Sequence, residues 1–352
     1  MRIRLEPEDD LLHPVEEAPN YNESRYYNVF DAGTGLGGWV RMGNRPNEGY
    51  AEVTVCLYLP PRPDHPDDQR QPRVAFMFKR PRIEGNDAHD AGGLRFEVAE
   101  PFVEHRVTYD GRVCVLADPR QMAEPREAFA HNPHEACTID LTLRAVGRPW
   151  GGEPEWEEGD ERPDLDPERS FARGHTEQHM AITGTVTVGD ETFTLTEGLG
   201  LRDHSWGPRW WQAIWWYRWL TANLGADLGF AVTLAGQQDD PDARHVRGFL
   251  YDVDRYGDNR WVPIRGLDLV SDYDDEWFPR TVRATVTTDD HTYEVVGDVW
   301  STIPLRNRRD GMVTRITEGL TRWRCEGRTG AGLSEYLDQV VDGVPVGTTL
   351  GR

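Results

Sequence analysis

The sequence predicts an all-β protein built as two barrels or sandwiches in series. Three observations lead there. Short runs carry Val, Thr, Phe, Tyr or Trp at every second position, Gly, Asp, Asn and Pro punctuate them, and no long segment shows the 3.6-residue repeat of a helix. About fifteen such runs are too many for one ordinary open sheet. A length of 352 residues also exceeds the usual single-core domain.

In chain order the predicted strands are Val53 to Leu59, Arg73 to Phe78, Leu94 to Ala99, Arg106 to Tyr109, Arg112 to Leu116, Thr138 to Ala145 and Met180 to Val188. Gly189-Asp190 turns the last of these into Thr192 to Leu195, a hairpin. The second half continues with Ile214 to Leu220, Leu228 to Leu234, Val246 to Val253, Arg260 to Leu269, Arg280 to Thr287 and Thr292 to Val299, the last two joined by a turn at Asp289-Asp290. The best helical candidate, Glu124 to Ala136, is interrupted by Pro125 and Pro133. Pro60 to Pro72 reads as a loop. Arg148 to Ser170 reads as a solvated acidic insertion or a lid, with nine acidic residues from Glu153 to Glu168 around Trp150 and Trp156. Gly33-Thr-Gly35-Leu-Gly37-Gly38 is followed by strand-like Trp39-Val40-Arg41-Met42, so it marks a bend rather than a nucleotide loop.

Composition narrows the function. With 39 basic and 61 acidic side chains the formal charge is -22, which disfavours nucleic acid and anionic membranes as partners. No apolar run approaches the roughly 20 residues of a membrane span, and the segment after Met1 lacks a secretion signal's apolar core, so the expectation is a cytoplasmic protein. Cys56, Cys114, Cys137 and Cys325 are scattered and read as small buried hydrophobes. Lys79 is the only lysine, so no GxxxxGK[ST] phosphate loop exists, and there is no GxSxG elbow. No cofactor is expected.

The densest feature runs from Gly198 through Arg202-Asp203-His204-Ser205-Trp206 to Arg209-Trp210-Trp211, followed by Trp215-Trp216-Tyr217-Arg218-Trp219. Six of the 13 tryptophans fall between residues 206 and 219. A carboxyl held against indole faces is poorly solvated when ionised, so the pKa of Asp203 is expected to rise, equipping it as a proton donor. Indole faces also stabilise an adjacent cation. Proton donor plus aromatic wall suits hydration, dehydration, isomerisation or cyclisation. The bland alternative is a structural clamp, with Asp203 bonded to main-chain amides and the tryptophans packing a core. In His175-Thr-Glu177-Gln178-His179 the two histidines lie about 13 Å apart on a strand, too far for one metal ion. No metal is expected, and His175 is read as a pocket histidine.

These residues resemble a known family. Gly-x-Gly-x-Arg-Asp-His-Ser-Trp-Gly at 198 to 207 looks like the Asp-x-x-Trp-Gly signature of two-domain lipocalin-like (calycin) proteins related to carotenoid 1,2-hydratase (hydroxyneurosporene synthase) and AttH. Pro101-Phe102 to Gly111, Glu177-Gln178 with Gly184-Thr-Val, and the tail Glu318-Gly-Leu-Thr-Arg-Trp through Glu335-Tyr336 resemble a bacterial branch of that group, over residues 25 to 340. The chain departs at Leu201 and Glu177, where hydratase-like members tend to carry aromatics. The resemblance implies two consecutive lipocalin-like antiparallel β-barrels, here 1–200 (with 148–172 as the acidic loop or lid) and 201–352. It further implies a cofactor-independent hydratase, cyclase or isomerase acting on a terpenoid- or polyketide-like substrate. Asp203 is then the general acid, His204 or His175 the partner base, and Trp206, Arg209, Trp210, Trp215 and Tyr217 bind substrate. The alternatives are a non-catalytic carrier of a hydrophobic molecule and a homodimer whose interface the tryptophans cement.

Overall fold

The computed structural model describes residues 2–62, 72–155, 170–238, 240 and 243–348. The chain divides into two compact units, one of Met1–Leu57, Ala75–Val115 and Pro133–Ala213, the other of Tyr58–Val74, Leu116–Asn132 and Ile214–Arg352.

The first sheet contains β1 (Arg2–Arg4), β2 (Tyr21–Asp31), β3 (Gly37–Arg45), β4 (Tyr50–Tyr58), β5 (Val74–Lys79) and β6 (His89–Ala91). It continues with β7 (Leu94–Glu100), β8 (Glu104–Leu116), β9 (His134–Ala145), β10 (Trp150–Glu155), β11 (Gly174–Val188) and β12 (Glu191–Pro208). Eight strands close a ring in the order β11, β12, β2, β3, β4, β5, β8, β9 and back to β11. This is an antiparallel barrel, the arrangement that leaves no edge unpaired. Alternation does the sorting: in β9, Cys137, Ile139, Leu141 and Leu143 are buried while their neighbours are exposed or half-exposed. Outside the ring, β10 pairs with the start of β11 and with β1, and the β6–β7 hairpin extends from β8.

The second sheet is built from β13 (Trp216–Asn223), β14 (Leu228–Gly236), β15 (Arg244–Asp252), β16 (Trp261–Pro263) and β17 (Gly266–Tyr273). After these come β18 (Pro279–Thr287), β19 (Thr292–Arg309), β20 (Met312–Cys325), β21 (Arg328–Val341) and β22 (Val344–Pro345). The order is β16, β15, β14, β13, β21, β20, β19, β18, β17, with β22 beside β21. Residues from both ends of this path, including Leu250 and Leu267, share one core with Trp216, Phe230, Val282, Tyr293 and Trp323. The sheet therefore curls around a single interior. The only α-helices among the described residues are Pro125–His131 and Val253–Tyr256, and no described helix is long and apolar enough to cross a membrane.

Two expectations need correction. Arg106 to Tyr109 and Arg112 to Leu116 belong to one strand, β8, where Gly111 leaves room for the Tyr109 side chain; a Cβ there would sit 2.4 Å from the Tyr109 hydroxyl oxygen. Trp150 to Glu155 is a strand rather than part of a loop, since β11 offers an edge to it. Residues 156–169, with Trp156, and residues 63–71 of the expected Pro60 to Pro72 loop lie outside the described residues. The glycine-rich segment is a turn, with Gly35 at φ 75° donating its amide to the Asp31 carbonyl. All four cysteines are buried, and none forms a disulfide.

Candidate active site

Register places the site residues. Across the β11–β12 ladder His175 faces Ser205, Thr176 faces His204, Glu177 faces Asp203 and Gln178 faces Arg202. Directly opposed residues share a sheet face and neighbours in sequence do not. His175, Glu177, Asp203 and Ser205 therefore lie on one face. Thr176, Gln178, Arg202 and His204 lie on the other, which is the barrel interior because Arg202 reaches Asp10 and the His204 ring meets that of His89 there.

On the outer face His175 Nε2 is hydrogen-bonded directly to Asp203 Oδ2. Glu177 Oε1 stands 3.9 Å from the same nitrogen. The Trp150 ring meets the imidazole edge-on, centroids 6.5 Å apart. Glu177 is nearly inaccessible at 3%, whereas His175 and Asp203 keep 25% and 16% of their side-chain surface, enough for a small group to reach them. Tyr26, opposite Asp203 on β2, completes the patch. Arg209 Nη2 donates to Ser205 Oγ at 2.6 Å, and its guanidinium lies 4.0 Å from the Phe171 ring centre and 5.3 Å from that of Trp211.

The expected rise in the pKa of Asp203 does not occur. Burial does push it up, but the charge and hydrogen bond of His175, with Arg209 and His204 adding to them, hold the carboxyl below its ordinary value. Asp203 is a carboxylate.

His204 does not join it. It is buried in the barrel with Nε2 at 2.9 Å from Glu23 Oε1. Burial, reinforced by the positive Arg25, pulls its pKa down to about 3 against the pull of Glu23. Trp206 is interior too, stacked on His13 at 3.9 Å with Nε1 donating to Glu153 Oε2 at 3.0 Å. The indole expected to wall Asp203 thus lies behind the sheet. Trp210 is half-buried and its amide donates to the Ser170 carbonyl at 3.0 Å. Trp215 and Tyr217 belong to the second unit, Trp215 packing on that unit's core and the Tyr217 hydroxyl donating to Glu335. Of the expected set, the structure unites Asp203 and His175. Trp150 and Glu177 line the site; the sequence singled out Trp150 as part of an acidic segment and Glu177 as part of a metal-like motif and of the family resemblance, neither as a site residue.

Among the described residues two groups have metal-compatible spacing, His175 with Glu177 and Asp203, and His13 with Glu23 and His204, each with ligand atoms within 4.8 Å. His179 belongs to neither. The Glu23 carboxylate already accepts bonds from the His13 amide and Nδ1, His204 Nε2, Tyr21 and Asn86. No lone pair is left there for a cation.

The family model for a domain of unknown function, DUF7064, matches residues 6–340. The chain belongs to the DUF7064 family. No curated protein matches its sequence. Among solved structures, this DUF7064 protein is similar to kievitone hydratase from Nectria haematococca, 8% identical over 90% of this chain and 88% of that one, with a TM-score of 0.52. It is also similar to a candidate AttH from Nitrosomonas europaea, 14% identical over 90% of this chain and 92% of that one, with a TM-score of 0.50. At such identities the likeness shows a shared fold, in agreement with the lipocalin-like architecture expected of the DUF7064 chain.

Proposed function

We propose that the protein is a cofactor-independent acid–base enzyme of the hydratase, cyclase or isomerase type, acting on a hydrophobic terpenoid- or polyketide-like molecule. The observation that carries this reading is the partly accessible hydrogen bond between His175 Nε2 and Asp203 Oδ2. A carboxylate can only accept, so Nε2 carries a hydrogen and Nδ1 is the nitrogen left to exchange a proton with substrate. The roles assigned from sequence are thereby exchanged: His175 moves the proton, and Asp203 orients the ring and stabilises the imidazolium, with Glu177 adding negative potential.

In a hydration, the imidazolium delivers its Nδ1 proton to an alkene carbon. Water then bonds to the resulting cation and returns its surplus proton to Nδ1, so one water is added and the ring is restored. Loss of a proton from a different carbon instead gives an isomer. The two-unit lipocalin-like fold, with a solved relative named as a hydratase, supports the class.

The test is to incubate the protein with a panel of hydrophobic alkenes and enones in D2O and follow deuterium uptake and water addition by mass spectrometry. His175→Asn and Asp203→Asn, checked for folding by circular dichroism, should each lower turnover by about 10²–10⁴. Wild-type turnover in Asp203→Asn overturns the mechanism. Binding without uptake by the wild-type protein points to a carrier instead.

A further inference from the structure

A second polar cluster lies inside the first barrel, on the wall face opposite Asp203. Between β1 and β2 the chain forms only a 3-10 turn, Pro7–Asp10, which delivers Asp10 into the barrel with its side chain wholly buried. Three donors and one further cation converge on that carboxylate. Oδ1 accepts from Arg25 Nη1 at 3.3 Å and is ion-paired with Arg202 Nη1 at 3.2 Å, and Oδ2 accepts from His105 Nε2 at 2.9 Å and the Phe102 amide at 2.5 Å. Arg25 also donates to the Asp10 carbonyl.

Arg202, Phe102 and His105 are held in place without help from Asp10. Arg202 Nε donates to Gln178 Oε1 at 2.9 Å, Nη1 to Thr176 Oγ1 at 3.1 Å, and the guanidinium lies 5.1 Å from the Phe102 ring centre. Gln178 in turn donates to the Phe102 carbonyl at 2.9 Å. Phe102 adopts φ 59°, a left-handed backbone costly for an aromatic residue, and that conformation turns its amide onto Oδ2. His105 Nδ1 is fixed by the Tyr27 hydroxyl at 2.9 Å. Arg202 Nη2 is buried with no hydrogen-bond partner. Two buried guanidiniums, a strained turn and an orphaned donor are an expensive way to fill a barrel end that apolar side chains would close. They are the usual equipment for gripping a planar anion.

We propose that this end of the first barrel is a carboxylate-binding site that the chain fills with its own Asp10, so that the N-terminal segment is a plug which a carboxylate-bearing ligand can displace. Two basic or donor partners on each of two oxygens match a carboxylate. The inference does not depend on the reading of Asp203 and His175, which project from the other side of the sheet.

Asp10→Ala vacates the site, and acetate is the probe. The melting temperature of the variant should climb with the logarithm of acetate concentration, while matched sodium chloride leaves it unmoved and the wild-type protein shows no such climb. Equal responses to acetate and chloride overturn the proposal. If the variant does not fold alone, refolding in acetate decides: recovery of the folded spectrum supports the site, and failure with acetate as without it overturns it. Displacement is read in the wild-type protein by hydrogen exchange. Dodecanoate should deprotect peptides covering residues 7–16 and dodecanol should not; unchanged exchange with both overturns the plug. None of these readouts involves turnover, so they stand or fall apart from the proposed enzyme activity.

Discussion

Asp203 and Trp206 are three positions apart on one strand, an odd separation that sends their side chains to opposite faces. That rule was available from the sequence, but the expected strand stops at Leu195, and the glycines at 198 and 200 interrupt the alternation beyond it. They are glycines because the neighbouring chains come too close for a side chain: a Cβ on Gly200 would sit 1.8 Å from the Asn28 carbonyl oxygen. The true partner of Asp203, His175, is 28 residues upstream and became its neighbour only through the register of the hairpin. Gly174 makes the same point in a testable form. It lies opposite Trp206, and a Cβ there would meet the indole at 2.1 Å. Gly174→Ala should therefore destabilise the protein by about 1–3 kcal/mol in urea unfolding, with part of the loss recovered when Trp206→Leu is combined with it. Strict additivity of the two changes would show that the contact is not the cause.

Among the elements, those with one wet and one dry face were legible. β7, β9 and β18 alternate cleanly, and the Gly189-Asp190 turn announces the β11–β12 hairpin. β2 was not legible. Its sequence from Tyr21 to Asp31 mixes Glu23, Arg25 and Asn28 with aromatics because both of its faces are buried and its interior end is polar. Nothing in a period-two pattern reports such a strand. At its far end Asp31 ties three pieces together, Oδ1 accepting from the Thr34 amide and hydroxyl at 2.8 and 2.9 Å, and Oδ2 from the amides of Thr196 and Glu197 at 3.0 and 2.8 Å. Asp31→Ala leaves those amides without an acceptor. The expected cost is on the order of 2–4 kcal/mol, with hydrogen exchange rising first at Thr34, Thr196 and Glu197. Asp31→Asn, which keeps the acceptor oxygen at one side only, should lose less. Exchange unchanged at Thr196 and Glu197 in the alanine variant would remove Asp31 from this role.

For the whole molecule, composition and periodicity sufficed to read the all-β class and the presence of more than one sheet, while the polar interior of the first barrel left no compositional trace. Its consequence is a dependence on pH. His89, His105 and His204 are buried there, and burial is the leading cause that lowers their pKa values to about 4, 4 and 3. Unfolded imidazoles titrate near about 6.5. The folded values lie below the unfolded one, so between these limits the unfolded chain binds more protons and stability rises with pH. With three such groups the slope can reach about 4 kcal/mol per pH unit near pH 5, three times the ~1.4 kcal/mol of one proton. Asp10, Glu23, Glu52 and Asp203 act in the same direction further down. Each is held below its ordinary value by basic neighbours that outweigh burial, so the stability each contributes is present above the unfolded carboxylate pKa and lost as the pH falls through the folded one. Hydrogen exchange on peptides from β2 and β11 should therefore accelerate steeply, after correction for intrinsic rates, as the pH is lowered from 7 to 5. His89→Gln, which keeps a donor for the Glu23 carbonyl now 3.2 Å from Nε2, should flatten that dependence by about one proton's share. A first unit equally protected at both pH values would mean that these imidazoles already carry their charge in the folded chain.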